Sequence, residues 1–435
     1  LINLRLYRSL TRVIVPVLSI YVWVKGIKDP SYRANSQERW GVLEALPAPG
    51  AVWVHAASMG EAKASVPLVQ EFIRRGEQVF LTTMTPAGRR LFSDAFSTES
   101  SIAGQSYIPY DTPGAVGRFL DALKPKVAVL VEVELWPNLL AELKKKVIPV
   151  VLVSARLSHR SLVRYQKLGS VITQSAKHLS LVAAQTEADA MRFVSLGVPV
   201  ENIQTLGNLK FDQKIDSIKV ERGRRLRAEI GIERPVWVAA SVRQGEEQVV
   251  VEAHKRLCES YPSALLILVP RHAIRFGPLS TWLESTRNLK GDSHLLWSAA
   301  QPISPSTSIL LADVMGELPL FLAAADIAFV GGSLVAVGGH NPLEPAALGM
   351  PVLMGPFVRN FQQVDQILAK AGGRVRVSDA EELGAALVSL FDDADYRHSI
   401  GQQAKAAFRA HAGVCQRTVT TIYKAIPILS EPRAD

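Results

Sequence analysis

From Ala51 onward, short apolar runs alternate with longer segments whose apolar positions recur every three or four residues. The short runs read as strands buried on both faces, and the spaced segments read as helices with one buried stripe. In the first half the runs are AVWVHA (51–56), QVFLTT (78–83), VAVLVE (127–132), IPVVLVS (148–154) and SLVAAQ (180–185). Helical stretches such as AKASVPLVQEFIRRG and PNLLAELKKKV separate them. The pattern lapses through LGNLKFDQKIDSIKVERGRRLRAEIGIERP, where charge rises. It then resumes with PVWVAAS (235–241), ALLILVP (264–270), SILLAD (308–313), IAFVGGS (327–333) and PVLMG (351–355).

This alternation predicts α/β architecture with parallel sheets covered by helices on both faces. Two doubly wound domains follow, at 31–213 and 235–410, joined by a linker at 214–234. The segment 411–435 reads as a C-terminal helix able to cross back to the first domain. Ligands in such sheets sit beyond the carboxyl ends of the strands, so the residues that follow each run are the ones to weigh.

Residues 1–30 follow a different pattern. An uncharged, mostly apolar run from Val13 to Val24 contains Pro16 and is flanked by Arg5, Arg8 and Arg12 before it and Lys25 and Lys28 after it. It is shorter than the roughly 20 residues of a robust span, and no small-residue cleavage site follows it. The pattern predicts an interfacial or shallow membrane anchor, with Tyr21 and Trp23 near headgroup level. The alternative is a buried N-terminal helix.

Composition narrows the picture. With 435 residues, 48% hydrophobic and 20% charged, the chain suits two globular domains. Cys258 and Cys415 lie far apart and outside metal-ligand spacing, which points to reduced thiols and no metal site. A net charge of +9 favours anionic partners. No RNA-binding signature accompanies it, so no nucleic-acid partner is expected.

Several strand ends carry candidate chemistry. In AASMGEAKA, Ser58 and Glu61 have the S-x-x-E spacing of a capping box, yet a carboxylate at a strand end can also act as a general base. VEVELWPN carries Glu132 and Glu134, which share one side if the strand continues, and LGNLKFD offers Lys210 and Asp212. In FVGGSLVAVGGHNPLEPAALGMP, glycines precede a helix whose cap would be Asn341, with Pro342 first in the helix and Glu344 in the capping-box position. Such glycines let a phosphate approach backbone N–H groups, or they merely complete a loop and a capped helix. Arg271 and His272 follow one strand, Met315, Gly316 and Glu317 open a helix after another, and SVRQGEE places Arg243 and Gly245 equivalently. Asp393 and Asp395 read as helix-start residues.

Taken in order, SMGEAKASVPL, TTMTPAGRR, PYDTPG, VEVELWPNLL, SARLS, GNLKFD, LVPRH, MGEL and GGSLVAVGGHNPLEPAALGMPVLMGP resemble the 3-deoxy-D-manno-oct-2-ulosonic acid (Kdo) transferases of Gram-negative bacteria. The resemblance runs from the apolar N-terminus to about residue 410. It implies the GT-B fold, two Rossmann-like domains facing a cleft, and an enzyme on the cytoplasmic side of the inner membrane. It further implies transfer of Kdo from CMP-Kdo to the lipid A precursor lipid IVA in lipopolysaccharide biosynthesis, by metal-independent inverting displacement and without a cofactor. Glu61 matches the family's general base, and Glu132 and Lys210 match its transition-state stabilisers. Arg271, His272, Met315, Gly316, Glu317, Asn341, Pro342, Leu343 and Glu344 match its CMP-binding segments. The competing expectations are another GT-B glycosyltransferase using a UDP-sugar, or a membrane scaffold without activity.

Overall fold

Strand β1 (Val52–His55) is buried at every position, and its side chains sort by alternation onto two covered faces. Trp53 packs on one face with Ala128, Leu130 and Leu152, while Val52 and Val54 pack on the other with Val127, Val129 and Val151. The computed structural model describes residues 3–285 and 293–429. It forms two compact units, Leu1–Gln213 with Gly413–Asp435, and Lys214–Ala412.

In the first unit β1 is joined by β2 (Val79–Thr83), β3 (Ile102–Tyr107), β4 (Val127–Val131), β5 (Val150–Ala155), β6 (Leu181–Ala184) and β7 (Ile203–Thr205). The order is β3-β2-β1-β4-β5-β6-β7, and every pairing is parallel. The order reverses at β1, which pairs with β2 on one side and β4 on the other. Chains diverge to opposite faces at such a point and leave a crevice beyond the carboxyl ends of the two central strands.

The sheet faces are covered by helices with matching stripes. Helix Met59–Arg74 contributes Ala62, Leu68, Val69 and Phe72 to one face, and helix Val414–Ala425 adds Val419 and Ile422 to the same core. Helices Pro113–Leu123 and Pro137–Lys145 cover the other face with Phe119, Leu120, Leu139 and Leu143. Residues 430–435 of the expected C-terminal helix lie outside the described residues.

The second unit repeats the plan with β8 (Val236–Val242), β9 (Leu265–Pro270), β10 (Ser293–Leu296), β11 (Thr307–Leu311), β12 (Ile327–Val330), β13 (Val352–Met354) and β14 (Arg374–Arg376). The order is β10-β11-β9-β8-β12-β13-β14, again parallel, with β8 at the reversal between β9 and β12. The span expected as a linker is instead part of this unit. It forms helix Ser217–Ile230, packed on helix Leu318–Ala323. Gly223 allows the approach, since a Cβ there would stand 2.2 Å from the Leu320 carbonyl oxygen.

The N-terminal run extends beyond its apolar stretch into one helix, Leu4–Lys28, that passes through Pro16. Its first turns are fixed to the unit: the Tyr7 hydroxyl donates to Asp111 at 2.8 Å, and Arg8 donates to Asn138 and pairs with Glu142. Further along, Val13, Val17, Ile20 and Ile27 are each more than 60% exposed. That excludes a buried helix, and in length and composition Leu4–Ile27 suffices to cross a membrane.

Candidate active site

Helix Met59–Arg74 begins where β1 ends. Ser58 is its N-cap in extended conformation, and the Ser58 hydroxyl oxygen accepts the Glu61 N–H at 3.3 Å. Glu61 answers with both oxygens: Oε1 accepts from the Ser58 hydroxyl at 2.8 Å and Oε2 accepts from the Ala57 N–H at 2.8 Å. Burial raises the Glu61 carboxyl above the usual carboxylate range, and Glu132 adds to the rise. The bonds from Ser58 and Ala57 and the charge of Lys210 oppose it. Gly60 is exposed, and a Cβ there would meet only Ser58 Oγ, at 3.9 Å. The glycine thus leaves the start of the helix open beside Glu61.

The expectation that Glu132 and Glu134 share one face of a continuing strand is overturned. β4 stops at Val131, and Glu132 adopts the left-handed region at φ +62°. A non-glycine residue held there stores backbone strain. The turn presents Glu132 to Lys210, whose Nζ lies 2.8 Å from Oε1. Glu134 is pushed up to about 8 by burial, then by Glu61 and Glu132. It is therefore a neutral acid at pH 7 beside two carboxylates.

The Lys210 turn hangs on a buried polar chain that no sequence motif singles out. Asn208 Oδ1 accepts the Lys210 N–H at 3.0 Å, and Asn208 Nδ2 donates to Gln185. Gln185 donates in turn to Ser154, and the Ser154 hydroxyl oxygen accepts the Leu209 N–H. Asp212 caps the helix Val414–Ala425 through the N–H groups of Gly413 and Cys415. Glu61, Glu132 and Lys210 are thus brought together at the reversal point of the first sheet.

At the reversal point of the second sheet the backbone N–H groups around the first glycine pair are already taken, apart from the helix start at Leu343. The fully buried Glu246 carboxylate accepts the N–H groups of Gly332, Ser333 and Leu334 at 2.7, 3.0 and 2.9 Å, and that of Arg243 at 2.9 Å. Gly331 serves packing: a Cβ there would lie 2.7 Å from the Ser241 carbonyl oxygen. Glu246 follows Gly245 in a charged, turn-like stretch, and nothing in that pattern separates it from its exposed neighbours.

The nucleotide-segment residues follow three strands of the second unit, the paired β9 and β11, and β12, which lies on the other side of β8. Arg271 and His272 follow β9, with His272 hydrogen-bonded to Arg243. Met315 and Gly316 are exposed before helix Leu318–Ala323, and Glu317, the residue at its cap position, pairs with Lys219 and Arg222. The helix expected to start at Pro342 starts at Leu343 instead, and Asn341 accepts the Leu343 N–H at 3.1 Å. Asn341 also approaches Glu344, at 3.5 Å, which keeps the expected pairing with the cap moved by one residue. Asp393 accepts the Tyr396 N–H and caps a helix.

The residues gathered in the first unit fall within a family model. The model of the 3-deoxy-D-manno-octulosonic-acid transferase (kdotransferase) matches residues 34–213. A 3-deoxy-D-manno-octulosonic acid transferase from Haemophilus influenzae is 34% identical over 94% of this chain and 96% of its own length. The chain belongs to the Kdo transferase family. The Bordetella pertussis Kdo transferase is 35% identical, over 96% of this chain and 98% of its own. The fold is GT-B: HepE of Anabaena, solved with UDP, superposes with TM-score 0.57 over 86% of this chain and all of its own, at 12% identity. The chain is thus a glycosyltransferase of the Kdo-transferring kind, with Glu61, Glu132 and Lys210 inside the part that the family model covers.

Proposed function

We propose that this Kdo transferase moves Kdo from CMP-Kdo to lipid IVA by a single inverting displacement, with Glu61 as general base. The observation that carries the reading is the cluster in which a carboxylate with a raised pKa, Glu61, stands in the field of the Glu132–Lys210 pair. A sugar hydroxyl is a poor nucleophile at neutral pH. A carboxylate in reach takes its proton as the new C–O bond forms, while the bond to the CMP oxygen breaks and CMP leaves with the electron pair. The better a carboxylate is desolvated, the stronger a base it is.

Glu132 and Lys210 act on the charge that develops during this step. Their ion pair holds a cation beside the carboxylates before reaction, so no reorganisation is needed when the transition state forms. In the second unit Arg271, His272, Met315, Gly316, Glu317, Asn341, Pro342, Leu343 and Glu344 bind CMP. CMP is a monophosphate leaving group with less charge to neutralise than a nucleoside diphosphate, so the reaction proceeds without a metal.

The exposed apolar side of helix Leu4–Lys28, bordered by Arg5, Arg12 and Lys25, seats the enzyme on the cytoplasmic side of the inner membrane, where anionic lipid attracts the cations. Incubation with lipid IVA and CMP-Kdo, followed by mass spectrometry, tests the reading. Product heavier by one or more Kdo residues is expected, unaffected by EDTA, with CMP competing and UDP not competing. Transfer from a UDP-sugar, or no transfer at all, would overturn it.

A further inference from the structure

The PYDTPG motif takes no part in the proposed chemistry, yet its aspartate holds two elements at once. Helix Pro137–Lys145 has Trp136 at its cap position, and an indole can donate a hydrogen bond but not accept one. Asp111 supplies the cap from another segment: its Oδ1 accepts the Leu139 N–H at 2.8 Å, and its Oδ2 accepts the Asn138 N–H at 3.3 Å. The buried Asn138 side chain returns a bond of 2.6 Å to the Asp111 carbonyl oxygen. A helix start inside the fold needs such partners, because its first N–H groups have none within the helix.

Oδ2 also accepts the Tyr7 hydroxyl at 2.8 Å, so the N-terminal helix Leu4–Lys28 meets the same carboxylate. Two more residues of that helix reach Asn138: Arg8 donates to its Oδ1 at 3.4 Å, and the Thr11 hydroxyl oxygen accepts from its Nδ2 at 3.3 Å. Between β4 and the capped helix run residues 132–136, the loop that carries Glu132 and Glu134. The front of this loop is fixed by the Glu132 N–H, which donates to the Val153 carbonyl at 3.0 Å, and by the Glu132–Lys210 pair. Leu135 is buried in its middle. Its rear end is the helix start that Asp111 holds.

We propose that Asp111 is a positioning residue for transfer: it fixes the rear end of the loop that carries Glu132 and Glu134, and through Tyr7 it ties that loop to the N-terminal helix. The helix is then part of the architecture of the site as well as a seat on the membrane. Glu132 sits in the left-handed region at φ +62°, a conformation that persists only where the surroundings enforce it. A loop held at one end alone would relax from it and carry Glu132 away from Lys210. The inference rests on the reading that Glu132 and Lys210 act on the charge developing in the transition state.

Hydrogen exchange of the full chain in detergent, with transfer from CMP-Kdo to lipid IVA measured on the same samples, tests the proposal on Tyr7→Phe, Asp111→Asn and Asp111→Ala. Tyr7 is half-buried and loses only a hydroxyl, so its variant should fold even if Asp111→Ala does not. In Tyr7→Phe and Asp111→Ala the amides of residues 132–140 should exchange about 10-fold faster or more, while β1 and β4 keep wild-type protection. In Asp111→Ala kcat should fall about 10- to 100-fold, as a small misplacement of a reacting group does. KM for CMP-Kdo should stay near the wild-type value, because the residues proposed to bind it lie in the second unit. Asp111→Asn keeps an oxygen for the Leu139 N–H and should recover most of both losses. Unchanged exchange at 132–140, or faster exchange there with kcat unchanged, overturns the proposal. Protection lost throughout the first unit in Tyr7→Phe overturns it too, since the bond would then be merely structural. A wild type that transfers no Kdo overturns the proposed function, and the role of Asp111 in transfer with it; exchange needs no turnover, so the two failures are told apart.

Discussion

Glu61 closes its own helix cap: Ser58 and Glu61 exchange two hydrogen bonds, at 2.8 and 3.3 Å. In the proposed mechanism the cap and the base are one side chain. A Glu61→Gln variant separates them, because an amide still accepts the Ala57 N–H but cannot take a proton. Its melting temperature should stay within about 2 °C of the wild type, while kcat falls by about 100-fold or more. A Gln variant that still transfers would move the base to another carboxylate.

Lys210 lowers the Glu61 carboxyl, and Glu132 raises it. Removing the cation in Lys210→Met should therefore push Glu61 further up. The acidic limb of the kcat/KM profile, below which Glu61 is protonated and inactive, should move to higher pH, with kcat reduced. Glu132→Gln should move the same limb to lower pH. Limbs that shift together in one direction would contradict the pairing.

Glu134 binds its proton more tightly folded than unfolded, with a pKa of about 8 against the ordinary 4.5. Between these values the folded state holds more protons, so stability falls as pH rises from about 4.5 to 8. Glu134→Gln removes this loss and should raise the melting temperature at pH 8 relative to the wild type, with little difference at pH 4.5. Equal gains at both pH values would show that the effect is not protonic.

Asp212→Ala should loosen the Lys210 turn and uncap helix Val414–Ala425 together. Loss of one good cap costs about 1–2 kcal/mol, which for a unit of this size lowers the melting temperature by about 2–8 °C. An accompanying drop in kcat, restored in part by Asp212→Asn, would show that the cap also positions Lys210.

The ten strands that the apolar runs mark out are all present, and the four they miss are β3, β7, β10 and β14. These are the four edges of the two sheets. An edge strand is solvated along one side and need not be apolar: β3 reads IAGQSY, β14 reads RVR, and β7 is three residues long. The candidate site is legible where a motif coincides with a strand end, as at Glu61 after β1, whereas Lys210 is singled out by its motif alone. Glu132 stands among the candidates, but its left-handed turn is not legible, because a residue's φ leaves no mark on hydrophobic periodicity. Glu246, Gln185 and Asn208 were missed because each acts by filling the hydrogen bonds of distant backbone or side chains, and sequence spacing says nothing about such partners.

The first unit is written in two pieces, with residues from Gly413 onward supplying Val414, Val419, Ile422, Ile426 and Leu429 to its core and the two N–H groups that Asp212 caps. On the ribosome this has a consequence for timing. The half of the protein translated first cannot complete its core until the whole of the second unit has emerged. Helix Met59–Arg74 must wait through the synthesis of residues 75–412 with its apolar flank uncovered, and the exposed N-terminal helix is made before either unit is finished. The domain that begins first is the one that finishes last.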